Sequence, residues 1–393
     1  MAGIHKRWLM LAVLFLARTA VAFQFQTVAS VRPFLMDALA IDFAGFGLLI
    51  GLYLLPGVVI SLPSGMLGQR FGAKQIVIVG LALMVVGGVL MGLVSSFAVV
   101  TAGRLIAGIG AVFINVLGAK MIADWFVGRE IVTAMAISIA SWPFGLAVGL
   151  VLFGPLAESV GWSAVMHLGA LAAFAALLIV LVIYRDPAPS GAGMMRFALN
   201  LTRREWLLVV VAGAIWGLFN VAYIVLISFA PELFTVRGYT LPEASRIVSL
   251  IGWVLIPSVP LAGFFIERIG WPNLVMVVAL AITCAALAVL PFVDAPLTVF
   301  ALVVLVIGVP AGTIVVLPAQ VLRAESRAGG MGVFYTVYYA VMAVLPGAAG
   351  FMRDISGSPA TPALFAAAMV LACLLGLALF HAARRLQDRA VNS

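Results

Sequence analysis

Charge is what this 393-residue chain lacks most: 9% of its residues are Asp, Glu, Lys or Arg, against 65% that are hydrophobic. Soluble domains are about half apolar and a quarter charged, so a water-soluble fold would have too little polar surface to cover itself. Cysteine is nearly as scarce. Cys284 and Cys373 are the only two, each alone inside a different apolar run, which excludes a disulfide framework and any paired-cysteine zinc or redox motif. The chain also has no HExxH, no P-loop, no paired carboxylates within an apolar run and no nucleophile–base set of recognisable spacing. No enzyme activity, cofactor or metal is therefore expected, and with no nucleotide site any energy must come from gradients.

What the chain has is apolar length. Mean hydropathy is +1.25, and twelve runs of roughly 20 residues, the first at 8–31 and the last at 361–381, alternate with short charged or Pro/Gly-marked breaks. A helix of about 20 residues crosses a hydrocarbon core of roughly 30 Å, and backbone in lipid must satisfy its own hydrogen bonds. The reading is an all-α integral membrane protein of twelve transmembrane helices, here called spans 1 to 12.

A net charge of +8 would suit nucleic acid, but its distribution argues for a membrane. With the N-terminus placed in the cytoplasm, 16 of the 22 Lys and Arg fall in cytoplasmic segments, four (Arg32, Arg237, Arg246 and Arg353) on the outer side, and Arg18 and Arg104 inside spans. That asymmetry is the positive-inside rule. It predicts a bacterial-type inner membrane with both termini cytoplasmic.

The chain repeats. An offset of 198 residues pairs Ser30 with Ser228, Pro33 with Pro231, Gly65 with Gly263, Arg70 with Arg268 and Gly72 with Gly270; an offset of 200 pairs Gly108, Ala111, Ile114 and Leu117 with Gly308, Ala311, Ile314 and Leu317. Two pseudo-symmetric six-helix bundles follow, 1–185 and 204–393, joined by a polar cytoplasmic linker at 186–203.

At these residues the chain resembles the major facilitator superfamily. Gly65-Met66-Leu67-Gly68-Gln69-Arg70-Phe71-Gly72-Ala73-Lys74, between spans 2 and 3, is similar to that superfamily's G-x-L-x-D-R-x-G-x-K loop, with Gln69 where Asp is usual. Gly263 to Gly270 is a second copy that retains an acid, Glu267, beside Arg268. Arg104-Leu105-Ile106-Ala107-Gly108-Ile109-Gly110 resembles the family's R-x-x-x-G-x-G pattern in span 4. The resemblance implies that spans 3, 6, 9 and 12 are outer supports, that Arg104 contacts span 1, and that the loop charges close the cytoplasmic side. Glu267 is expected to meet Arg129, and Arg70 to meet Glu325. Positive-inside anchoring alone is the alternative.

Polar residues within spans mark the working face, since a buried polar group needs a protein or water partner. Trp216, Asn220 and Tyr223 share one side of span 7, and the 198 offset carries that stripe onto Arg18, Ala22 and Phe25 of span 1. A central site is expected from Arg18, Gln26, Asn115, Trp142, Trp216, Asn220, Tyr223, Tyr335, Tyr338 and Tyr339. An arginine at mid-membrane costs about 2.5–3.5 kcal/mol on insertion scales, and all 14 acidic residues lie in loops or at helix ends. Arg18 is thus a cation with no intramembrane acid, suited to an anionic substrate, or a structural group bonded to carbonyls, Gln26 or tyrosines. Arg104 shares a face with Gly108, Ala111 and Asn115, which favours close packing and a structural or gating role.

The leading expectation is a secondary carrier of a small anion, inorganic or carboxylate, coupled to a proton or an exchanged anion and working as a monomer in the bilayer. Within the superfamily it resembles bacterial cyanate and nitrate carriers, although the nitrate carriers' arginines on spans 2 and 8 are replaced by Tyr53 and Trp253. A proton-coupled exporter of drugs or hydrophobic cations is the alternative, opposed by the missing membrane carboxylate and by an incomplete glycine motif around Gly145, Gly154 and Pro155. A non-transporting receptor or scaffold is disfavoured by short loops and a polar central face.

Overall fold

The computed structural model describes residues 2–126, 130–187, 201–323 and 326–392, so most of the expected linker lies outside the described residues. Every regular element among them is helical, and twelve helices are long and apolar enough to cross a membrane. Spans 1 to 6 are Lys6–Ser30, Phe43–Phe71, Ala73–Leu93, Phe97–Trp125, Thr133–Val160 and Trp162–Val182. Spans 7 to 12 are Arg203–Thr235, Leu241–Ile266, Pro272–Phe292, Pro296–Gln320, Gly329–Ser356 and Thr361–Arg384. An even number of crossings returns the chain to the side where it began, so one face, the near face, carries both chain ends. The opposite one is the far face.

Helix boundaries follow local chemistry. Thr202 and Thr240 each open a span with a capping box, closed by Glu205 and Glu243 three residues on, so first-turn N–H groups find acceptors without neighbours. Two spans are not continuous. Span 2 breaks after Leu52 and resumes at Pro56, because proline has no N–H to donate back to the preceding turn. Span 10, read from sequence as one helix over 297–320, stops at Val306, resumes as Ala311–Val315, and ends in a 3-10 turn at Pro318–Gln320. Pro310 and Pro318 remove two ladder donors there.

The bundles pack by one plan. Span 1 lies against spans 5 and 6 as span 7 lies against 11 and 12, and span 3 lies along spans 4 and 6 as span 9 lies along 10 and 12. Between the halves, two seams dominate: span 2 on span 11, and span 5 on span 8. The first is tight in the far-face half, the second at mid-depth. A Cβ on Gly350 would overlap the carbonyl of Phe43, one on Gly47 that of Pro346, one on Gly51 that of Ala343, and one on Gly57 the ring of Tyr339. Glycine is required at these positions because backbone approaches backbone. On the other seam, Phe144 meets Trp253 edge to face at 5.8 Å, and a Cβ on Gly252 would stand 2.7 Å from the Pro143 carbonyl. In the near-face half a Cβ on Gly65, Gly118, Gly263 or Gly312 would meet nothing within 4 Å. Spans 2 and 11 thus seal the halves toward the far face, while these near-face glycines border open space.

Candidate functional site

Arg18 stands halfway along span 1, half-buried. Its Nη1 donates to Ser138 Oγ of span 5 at 3.2 Å, while its Nε is buried without a partner. Across the halves, the hydroxyls of Tyr335, Tyr339 and Tyr338 on span 11 lie within electrostatic reach of the guanidinium. Among the described residues no carboxylate pairs with it. The tyrosines form a connected row, with ring centroids 6.2 Å apart for Tyr335–Tyr338 and 5.0 Å for Tyr338–Tyr339. Trp216 of span 7 extends it, stacked on Tyr338 at 6.3 Å and on Phe219 at 5.7 Å. Tyr339 sits where the span 2–span 11 seam ends at Gly57, and Asn115 of span 4 reaches its hydroxyl side with its own Oδ1 unpartnered. Arg18, Asn115, Trp216 and the three tyrosines therefore surround one mid-membrane region directly beneath the seal.

The remaining expected residues are placed differently. Gln26 is wholly enclosed and donates to Ser30 Oγ at 3.0 Å, packed beside Gly149 of span 5, so it is no partner of Arg18. Asn220 is half-buried and returns its amide to the Trp216 carbonyl at 2.8 Å. Tyr223 is buried with an unpartnered hydroxyl. Trp142 packs on Phe25 at 5.5 Å, in the N-terminal bundle's own aromatic cluster. Ser138, which orients Arg18, was missed by the sequence reading. Its signal was the i, i+3, i+4 stripe of Ser138, Ser141 and Trp142 on span 5.

Arg104 is fully buried. Its Nε donates to the Leu49 carbonyl of span 2 at 2.8 Å and its Nη1 to the Phe25 carbonyl of span 1 at 3.3 Å. The guanidinium lies 4.6 Å from the Tyr53 ring centre and 5.4 Å from that of Phe25. A buried cation held by two carbonyls and two ring faces is a tie between helices. The Leu49 carbonyl is one that the break in span 2 leaves available.

Of the loop charges, Gln69 and Arg70 are exposed, Arg70 over the Phe71 ring at 5.2 Å, and Arg268 lies over Phe264 at 4.6 Å. The expected pairs Glu267–Arg129 and Arg70–Glu325 lie outside the description: Arg129 and Glu325 are not among the described residues, nor is the Glu267 side chain. Among the described residues the near face instead holds ion pairs within single halves, Lys120 with Asp124 at 2.6 Å being one. Arg7 pairs with Glu130. Glu205, almost wholly buried, takes the Arg323 guanidinium at 3.1 Å, the Arg323 backbone N–H at 3.0 Å, and the Ser326 hydroxyl.

The far face carries a cluster that the sequence reading did not assemble. Glu232, at the far end of span 7, holds Arg32 Nη1 at 2.9 Å and Arg353 Nη2 at 2.7 Å. Burial lowers the Arg32 guanidinium from its ordinary value, and Glu232 works in the opposite sense. The carboxylate of Asp354 accepts from the N–H groups of Phe43 at 3.0 Å and Ala44 at 2.7 Å.

A family model described as Major Facilitator Superfamily matches residues 14–326. The chain belongs to the major facilitator superfamily. It is accordingly a multi-pass membrane protein of that superfamily, with twelve candidate spans among the described residues. Its relatives include the tetracenomycin C resistance and export protein of Streptomyces glaucescens, 27% identical over 66% of this chain and 49% of that protein. The human choline/ethanolamine transporter FLVCR2 is 24% identical over 57% of this chain and 44% of its own. The chain spans about half or less of the length of these curated relatives. Among solved structures, a bacterial homolog of the human lysosomal transporter Spinster aligns with a TM-score of 0.73 at 17% identity, over 98% of this chain and 97% of that one. The nucleoside transporter NupG aligns with a TM-score of 0.72 at 16% identity, over 95% and 99%. These two likenesses establish the superfamily fold, two six-helix bundles around a central face.

Proposed function

We propose that this superfamily member is a secondary carrier that moves a small anion, inorganic or carboxylate, through the site between the halves by alternating access. The carrying observation is Arg18: a mid-membrane guanidinium with a serine as its hydrogen-bond partner, a bare Nε, and three tyrosine hydroxyls of the other half within electrostatic reach. A cation so placed favours an anion that supplies the missing acceptor. The aromatic row of Trp216, Tyr338 and Tyr335 suits a planar or partly apolar body behind the charge. Gln69, Arg70, Arg268, Glu267, Arg129 and Glu325 are assigned to closing the near face.

The orientation follows from the placement of Lys and Arg: both chain ends cytoplasmic, in a bacterial-type inner membrane. On that assignment the span 2–span 11 seam closes the outer side. Two named exporters among the relatives, the tetracenomycin C protein and the drug efflux pump JefA of Mycobacterium tuberculosis, favour a second reading, export of a hydrophobic drug. The test is uptake by proteoliposomes offered nitrate, nitrite, cyanate, short mono- and dicarboxylates and aromatic acids, with and without imposed pH and voltage gradients. Anion accumulation that Arg18→Gln abolishes in a folded, monodisperse protein is the expected result. Transport of organic cations with no anion response refutes the anion reading and supports the second.

A further inference from the structure

The far-face cluster joins the two halves of the protein, and its composition has a mechanical logic. Arg32 belongs to the short helix Arg32–Leu39 that links spans 1 and 2, whereas Glu232, Arg353 and Asp354 belong to spans 7 and 11 of the other bundle. Of the two ion pairs on Glu232, one therefore crosses the interface, Arg32–Glu232 at 2.9 Å, and one stays within the C-terminal half, Arg353–Glu232 at 2.7 Å. Asp354 also crosses. Its two oxygens accept the first N–H groups of span 2, which have no intrahelical partner and carry the positive end of the helix dipole. Both guanidinium groups lie over the Phe43 ring, Arg32 at 5.2 Å and Arg353 at 4.6 Å from its centre, and that ring stacks against Phe229 of span 7 at 6.3 Å. The side chains of Arg32, Glu232 and Arg353 are at most 13% exposed, so solvent screens them little. Directly below runs the glycine seam of Gly350, Gly47 and Gly51.

We propose that Arg32, Glu232, Arg353 and Asp354 form the gate of the far face, with Glu232 holding Arg32 across the halves while that face is closed and keeping Arg353 when it opens. The second arginine is the reason the gate can release. A carboxylate left alone in a partly buried place is strongly unfavourable, but here separation sends only Arg32 into water and leaves Glu232 paired. Asp354 loses its helix end and is rehydrated at the surface. The gate has no counterpart in the N-terminal half: the 198 offset sets Ala230 against Arg32 and Phe34 against Glu232. It is built once, across the pseudo-twofold axis, where one clasp serves both halves.

This inference rests on alternating access and not on the charge of the cargo. Spin labels at Ala38→Cys and Val236→Cys, two exposed far-face positions in different halves, with Cys284 and Cys373 replaced by Ala, report the gap by pulsed electron resonance. Arg32→Gln, which spares the Arg353–Glu232 pair and so weakens the closed state alone, and Glu232→Gln, which in the closed state leaves two guanidiniums facing each other, should each raise the long-distance population at least about tenfold. Arg32→Gln lies outside the spans and serves if Glu232→Gln does not fold. Gly47→Leu, which forces the seam apart by bulk, is the independent opener. If it lengthens the distance and neither charge variant does, the gate is overturned and alternating access stands. If none of the three lengthens it, both are overturned.

Discussion

Replacing Gly47 by alanine sets two opposing effects against each other, and their magnitudes decide the outcome. Alanine in a helix interior is favoured over glycine by roughly 0.5–1 kcal/mol, and Gly47 lies within the helix Phe43–Leu52. Its new methyl, however, would fall on the Pro346 carbonyl and within 2.9 Å of the Gly347 Cα on span 11. Those atoms are backbone and cannot rotate away, so the helices must part, at about 1–3 kcal/mol for an overpacked methyl. The clash outweighs the preference over most of that range, leaving a net loss of up to about 2.5 kcal/mol in the closed state. Gly263 provides the control. It lies within the helix Leu241–Ile269 and its Cβ would meet nothing within 4 Å, so Gly263→Ala should gain the helix preference with nothing against it. The two variants should differ in thermal stability by about 1–3 kcal/mol, several degrees in melting temperature. If the far-face-open state lies close in energy, Gly47→Ala will instead move population into it, and the loss of stability will be capped by that gap. Melting in detergent and the Ala38–Val236 label distance together read both routes. A Gly47→Ala protein as stable as Gly263→Ala, with an unchanged label distance, would refute the reasoning.

Arg104→Met should lower stability by about 1–3 kcal/mol through the loss of two carbonyl hydrogen bonds and the ring contacts, while substrate affinity per folded molecule stays within about twofold; a stable variant that has lost binding would assign Arg104 to the substrate, as read by calorimetry on the folded fraction. Glu205→Gln keeps the shape of the span 7 cap but loses the charge pairing with Arg323, whose side chain is 56% exposed. After discounting for screening, a loss of about 1–2 kcal/mol is expected, measured by thermal unfolding in detergent; no change would mean that Ser326 and Thr202 alone hold that carboxylate's place.

Much of the fold was legible because membrane insertion is governed by local, additive terms. Twelve apolar lengths, the repeat at 198 and the duplicated loop glycines each follow from a few consecutive residues. The breaks in spans 2 and 10 were legible in Pro56, Pro310 and Pro318, but a hydropathy reading averages over them. In the site, Arg18 and the tyrosines stood out because polar groups are rare in lipid. Gln26 stood out for the same reason yet is spent on Ser30, since polarity in a span does not say whether the satisfying partner lies within the same helix. The Glu232 gate escaped because its members are unremarkable where they occur. Arg32 and Arg353 read as ordinary outer-face charges, Glu232 and Asp354 as helix-end acids, and the repeat that located the central site has no second copy of them.

By itself, the sequence determined that the chain lives in a membrane, that it crosses twelve times in two related halves, and that a cation sits at mid-depth without an intramembrane acid. Those properties belong to single helices and to the solvent around them. Only the tertiary structure decided which face is closed, that backbone glycines of spans 2 and 11 close it, that Arg104 ties helices together while Arg18 meets tyrosines of the other half, and that one carboxylate is shared between two arginines from different bundles. These depend on contacts between residues some 55 to 310 positions apart in the chain, whose pairing is set by how helices pack and not by what any one helix prefers.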